Sequence, residues 1–199
     1  MRVLVTAASR HGSTQEIAEA IAATLADRGI ESAAVPVDQV ATLDGFDAVV
    51  LGSAVYMGRW LGEARRFAQL HASALCRLPV WLFSSGPVGP ADHPVPPGTP
   101  ADVPVLTRLT QATGHRTFAG RLDLTRLHFT ERTLARTIHV PEGDSRDWGA
   151  IEDFAGEVAD ALLGEHARAE LSAAPDGGAL ADLSAAPDGG ALAYGHSVQ

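Results

Sequence analysis

Ser9, Arg10, His11, Gly12, Ser13 and Thr14 follow directly on the apolar run 2–8 and stand at the head of a segment with helical period. Hydroxyls, a glycine and basic side chains at such a junction suit one task well, the holding of a phosphate. The first N–H groups of a helix lack intrahelical partners, the helix dipole adds partial positive charge, and glycine lets the backbone come close to a ligand. An ordinary strand-to-helix turn uses the same residue types, so this loop by itself leaves both readings open. The chain has no Walker lysine motif and no GxGxxG, which disfavours triphosphate chemistry and removes the dinucleotide fingerprint.

Two further loops carry suitable chemistry. Ala54, Val55, Tyr56, Met57 and Gly58, with Trp60 close behind, follow a second apolar run. Aromatic and thioether groups suit a flat conjugated ligand; equally, Trp60 can begin a helix and pack beneath it. Ser84, Ser85, Gly86 and Pro87 offer hydroxyls and a glycine for contact with ligand edges, or simply a tight turn. Phosphate donors, an aromatic wall and a polar rim together point to a phosphorylated aromatic cofactor. No side chain stands out as an obligatory acid or base, and Tyr56 and His11 are the candidates near such a cofactor.

For these loops to meet, the elements must form an open parallel sheet, in which ligands bind beyond the carboxyl ends of the strands. The pattern agrees. Apolar runs at 2–8, 31–37, 47–53, 79–86 and 116–122 read as strands, and Pro36 suits an edge. Segments 14–28, 60–75, 105–114 and 147–167 read as helices. Ile17, Ile21 and Leu25 mark the buried stripe of the first, and Ile151, Phe154, Val158 and Leu162 that of the last. Ser13 and Glu16 have capping-box spacing, Gly29 is a stop, and Asp147 is an N-cap. Strands alternating with helices predict an α/β fold, a doubly wound five-stranded parallel sheet with helices on both faces. With strand order 2-1-3-4-5, the loops at 9–14, 53–59 and 84–89 leave adjacent strands.

The chain has 199 residues, 46% of them apolar and 20% charged, as in a soluble globular protein. Its net charge of −9 argues against bulk binding of nucleic acid. All 15 basic residues are arginine. No apolar stretch reaches the ~20 residues of a membrane span, and the N-terminus is not a signal peptide, so a cytoplasmic protein is expected. The single cysteine, Cys76, excludes an intrachain disulfide and is expected to be buried at a helix end. Neither the histidines nor the cysteine has metal-ligand spacing.

Three stretches interrupt the pattern. Residues 86–104 hold seven of the twelve prolines and read as a stiff loop. Segment 115–140 carries Arg116, Arg121, Arg126, Arg132 and Arg136 against Asp123 and Glu131, a local excess of three positive charges. It reads as a basic insertion able to hold an anionic substrate or partner, or as a solvated face. Residues 171–182 recur at 183–194 with only the last residue changed, and Pro-Asp-Gly-Gly in each copy predicts a flexible tail over 168–199, after a domain spanning 1–167.

The stretch VLVTAASRHGSTQEIAEAIA resembles the phosphate-binding signature of the flavodoxin-like family, and DAVVLGSAVYMGRW resembles that family's strand and loop beside the flavin ring. With TFAGRLD and PEGDSRDWGAIEDFA, the chain more closely resembles a bacterial flavodoxin-domain group related to menaquinone-dependent protoporphyrinogen IX dehydrogenase. The resemblance covers roughly residues 1–165 and implies noncovalently bound FMN. It places Ser9 to Thr14 at the phosphate, residues 54–58 on one side of the ring and 84–87 on another. His11 stands where flavodoxins usually carry a hydroxyl, and the third loop lacks an aromatic. The expected function is an FMN-dependent oxidoreductase working between a diffusible donor and an acceptor such as a quinone. The alternatives are a non-enzymatic electron-transfer protein and an interaction scaffold that has lost FMN. No metal is expected.

Overall fold

The computed structural model describes residues 1–86, 98–122 and 143–173. Pro87, most of the proline-rich loop, Arg126, Arg132, Arg136 and nearly all of the duplicated tail lie outside the described residues.

Five strands form a parallel sheet: β1 (Arg2–Ala8), β2 (Glu31–Pro36), β3 (Ala48–Tyr56), β5 (Val80–Ser85) and β6 (Gly114–Phe118). Their order is β2-β1-β3-β5-β6, the doubly wound arrangement expected from the sequence. The two-residue strand β4 (Arg59–Trp60) adds an antiparallel hairpin to β3. Pro36 lies on the edge strand β2, where its missing N–H costs nothing.

The central strands are covered on both faces, which is why they read as unbroken apolar runs. Val3, Val5 and Ala7 face helices α1 (Ser13–Asp27) and α5 (Trp148–Ala173). Leu4 and Ala8 face the opposite layer, made by α2 (Gly62–Leu70), α3 (Ala72–Leu75) and α4 (Val103–Thr110). The predicted stripes are the buried ones: Ile17, Ile21 and Leu25 of α1 meet Ile151, Phe154, Val158 and Leu162 of α5. Each such side chain, fully buried, contributes about 1.5–3 kcal/mol. α1 stops at Gly29 (φ +80) with two closing bonds, Gly29 N–H to the Ala26 carbonyl at 2.9 Å and Ile30 N–H to the Leu25 carbonyl at 3.0 Å. Asp147 caps α5 by accepting the Ala150 N–H at 3.0 Å.

Several boundaries differ from the sequence reading. The helix expected over 60–75 begins at Gly62 and is broken at His71, because Trp60 is held in β4. The fifth strand ends at Phe118 instead of running to 122. Residues 121–122 then form β7 (Arg121–Leu122), paired with β8 (Gly143–Asp144) as a separate ribbon. α4 spans 103–110 instead of 105–114, since Gln111 (φ +54) terminates it and Thr113 N–H already bonds the Val80 carbonyl. α5 continues to Ala173. Cys76 is exposed instead of buried, because it falls just past the last turn of α3. Among the described residues, no helix is long and apolar enough to cross a membrane.

Candidate functional site

Strands β1, β3 and β5 are neighbours, so the three loops singled out in the sequence emerge side by side at one sheet edge. In the first, Gly12 takes a left-handed conformation (φ +87) as the N-cap of α1. The capping box does not form. Ser13 is the first helical residue, one position later than that motif needs, and α1 starts with no side-chain cap. The N–H groups of Ser13, Thr14 and Gln15 therefore have no intrahelical partner, while Glu16 N–H bonds the Gly12 carbonyl at 2.9 Å. The Ser9 hydroxyl accepts the Gly12 N–H at 3.1 Å, which leaves its own proton to donate outward. Thr14 is buried.

The second loop is a tight hairpin. Val55 pairs with Trp60 and Tyr56 with Arg59. Met57 (φ +52) and Gly58 (φ +74) form the two-residue turn, both with the positive φ that this hairpin type requires. Ala54 is buried, Val55 and Tyr56 are half-buried, and Met57 at the tip is 99% exposed. The Arg10 guanidinium lies 4.7 Å over the Tyr56 ring and joins the first loop to the second.

Trp60 is 2% exposed and belongs to the core, not to an aromatic wall. Its indole N–H donates to Ser84 Oγ at 2.8 Å, and Ser84 Oγ is 2.8 Å from His115 Nε2. An indole can only donate, so the Ser84 proton is available to the neutral His115 ring. Burial pushes His115 down to about 4 from its ordinary 6.5, which keeps the ring neutral near pH 7. The Ser84 hydroxyl is thus committed to the protein interior. Ser85 is buried beside it, and Gly86 (φ +92) closes the strand end by donating its N–H to the Phe118 carbonyl at 3.0 Å. A Cβ on Gly120 would stand 3.3 Å from the Gly86 Cα, so the glycine there permits a close approach of β5's end and the chain after β6.

Sequence reading named Glu16 as a helix cap and Arg121 within the basic segment, but it did not bring them together and passed over Arg146 and Asp144. Arg121 donates to both Glu16 carboxylate oxygens, at 3.0 and 2.8 Å, and its backbone N–H donates to Ser13 Oγ at 3.1 Å. Arg146, whose side chain is 2% exposed, donates to Glu16 at 2.7 Å and to Asp144 at 2.8 and 2.6 Å. Its guanidinium also lies 4.4 Å over Trp148. Burial alone would raise the Glu16 carboxyl, but the bonds from Arg146 and Arg121 outweigh it and hold the group below its ordinary value. No local signal could have joined Glu16 to this cluster, because Arg121 and Arg146 stand 105 and 130 residues away from it in the chain. Arg116 of the basic segment pairs with Glu157 at 2.7 Å, so both of that segment's arginines among the described residues are tied to helices.

A cavity of about 350 Å³ adjoins the first loop on the β2 side, lined by Ser9, Arg10 and Gln15 with Val37, Asp38 and Glu63. Neither Tyr56 nor Ser85 lines it.

Residues 4–148 match the flavodoxin domain family. Among curated proteins, the chain is 26% identical over 172 residues to the protoporphyrinogen IX dehydrogenase [quinone] of Escherichia coli K12, covering 80% of this chain and 95% of that one. Among solved structures, it is similar to a flavodoxin from the domain Archaea (TM-score 0.54, 15% identity, 82% of this chain and 99% of that one). A Streptococcus pneumoniae TIGR4 flavodoxin is similar to the same degree (TM-score 0.53, 17% identity, 81% and 99%). These two share the fold with this chain. The match over most of the sheet and its loops, including the Gly12 turn and the Tyr56 hairpin, shows that this chain belongs to the flavodoxin domain family.

Proposed function

We propose that this chain binds FMN noncovalently and acts as an oxidoreductase between a diffusible donor and an acceptor such as a quinone. One observation carries the reading: α1 opens on a left-handed Gly12 without a side-chain cap, at the sheet edge that also presents Tyr56. The donor set fits a phosphate, with the Ser9 and Ser13 hydroxyls and the first N–H groups of α1 gathered at the positive end of a helix dipole. Tyr56 fits a flat ring. Bound FMN supplies one- and two-electron redox chemistry, and the protein supplies binding, orientation and electrostatics. The quinone acceptor is supported by the likeness to the Escherichia coli protoporphyrinogen IX dehydrogenase [quinone].

Purified protein titrated with FMN tests the reading. Perturbation of the flavin spectrum at one equivalent, followed by turnover of a quinone or a porphyrinogen, supports it; a chain that leaves the FMN spectrum unchanged overturns it. The net charge of −9 favours a second reading, an electron-transfer module docking on a basic partner. FMN binding with exchange to a protein partner but no turnover of small substrates selects that one.

A further inference from the structure

Glu16 places a carboxylate in the first turn of α1, the turn assigned above to the FMN phosphate. A negative charge there favours the bare helix but opposes a bound anion, which competes for the same positive helix end. The structure answers with two guanidiniums brought from distant parts of the chain. Arg121 grips Glu16 through both oxygens, and Arg146 grips it through one while its remaining donors hold Asp144. The same two residues clamp the turn itself. Arg121 N–H bonds Ser13 Oγ at 3.1 Å, and Arg146 Nη1 bonds the Ser13 carbonyl at 3.3 Å. With its oxygen accepting from Arg121, the Ser13 hydroxyl has its proton left to donate to a ligand.

We propose that Arg146 and Arg121 are positioning residues for the phosphate seat: they neutralise Glu16, draw its carboxylate off the helix start, and fix Ser13 with its proton directed outward. Asp144 has the separate task of balancing the second charge of the buried Arg146 cluster, since two carboxylates meet two guanidiniums. This inference rests on the FMN reading and adds to it the device that makes an acidic first turn compatible with an anionic ligand.

The test compares FMN with riboflavin, which lacks the phosphate, on wild type, Arg146→Met, Arg121→Met, Glu16→Gln and the double variant Glu16→Gln/Arg146→Met. The affinities come from fluorescence titration, with a thermal melt of each ligand-free variant. Arg146→Met is expected to weaken FMN at least tenfold and riboflavin less than twofold. Arg121→Met, at a more exposed side chain, acts in the same direction and serves if Arg146→Met does not fold. Glu16→Gln is expected to leave FMN affinity equal or higher, and in the Arg146→Met background to recover most of the loss. Equal losses for both ligands, unchanged FMN affinity in both arginine variants, or no recovery in the double variant overturn the proposal. A wild-type chain that prefers FMN over riboflavin while the arginine variants keep that preference overturns the positioning role alone. A wild-type chain without the preference removes the phosphate seat and the proposal together.

Discussion

At the scale of single residues, backbone conformation and contact distance decide what each position tolerates. Gly12 sits at φ +87 at the start of α1, where a β-branched side chain is strained and would crowd a ligand. Gly12→Val is therefore expected to lose at least tenfold in FMN affinity while lowering ligand-free stability by about 1–2 kcal/mol. Titration and a melt on the same sample separate the two, and unchanged affinity would place the phosphate elsewhere. Gly52 lacks a side chain for a different reason. A Cβ there would fall 2.1 Å from the Phe83 ring, which is fully buried and packs near Phe118. Gly52→Ala is expected to cost about 1–3 kcal/mol by overpacking. Phe83→Leu in that background should recover part of the loss in a urea unfolding series. A Gly52→Ala protein as stable as wild type would mean that the ring moves freely.

At the scale of elements, the β3–β4 hairpin is the part whose position most depends on residues outside it. Trp60 N–H donates to Asp102 Oδ2 at 3.0 Å, and Leu61 N–H donates to Ser53 Oγ at 2.9 Å. Ala101 N–H reaches the Gly58 carbonyl at 3.0 Å, so the entry to α4 is stitched to the hairpin turn. Asp102 also lies 3.7 Å from Arg59 and 3.9 Å from Arg65. Asp102→Ala leaves the Trp60 N–H without its acceptor, at a cost of about 1–3 kcal/mol. The expected outcome is faster hydrogen exchange at the Trp60 amide and, on the proposal that Tyr56 faces the flavin ring, weaker binding of FMN and riboflavin alike. Asp102→Asn keeps an acceptor and should behave close to wild type. If Asp102→Ala leaves exchange at Trp60 unchanged, the hairpin is held by its own turn.

At the scale of the whole molecule, titratable groups whose surroundings the fold sets govern the response to acid. His115 is depressed to about 4 by burial, so between that value and 6.5 the unfolded chain binds a proton that the folded chain does not. Stability is thus complete above pH 6.5 and falls as pH drops toward 4. Glu16 and Asp144 are held below their ordinary values of 4.5 and 3.8 by the arginine cluster, so their contribution begins to fall as pH drops through those values and adds to the loss at the acid end. Urea melts from pH 7.5 to 4 should show a declining midpoint in the wild type and a flatter profile in His115→Gln. Parallel profiles would assign the decline to other groups.

The sequence alone determined the alternation of strands and helices, the buried stripes of α1 and α5, and the loops that could form a site. Those features are local: apolar periodicity reports which face of an element is covered, and a glycine beside hydroxyls reports a turn, wherever the rest of the chain lies. Tertiary structure decided how the same residues are used. The Ser13–Glu16 spacing fits a capping box, yet Arg121 and Arg146 hold Glu16 instead, because charged hydrogen bonds from two guanidiniums outcompete one backbone amide. Ser84 suits a ligand rim by its place in the sequence, but Trp60 of the β3–β4 hairpin and His115 of β6 close on its hydroxyl. Trp60 suits a helix start, but its backbone and indole N–H groups both find acceptors, so it enters the core as β4. In each case the deciding partner is distant in the chain and adjacent only in the fold, where a buried polar group must be paired and takes the partner that packing brings within reach.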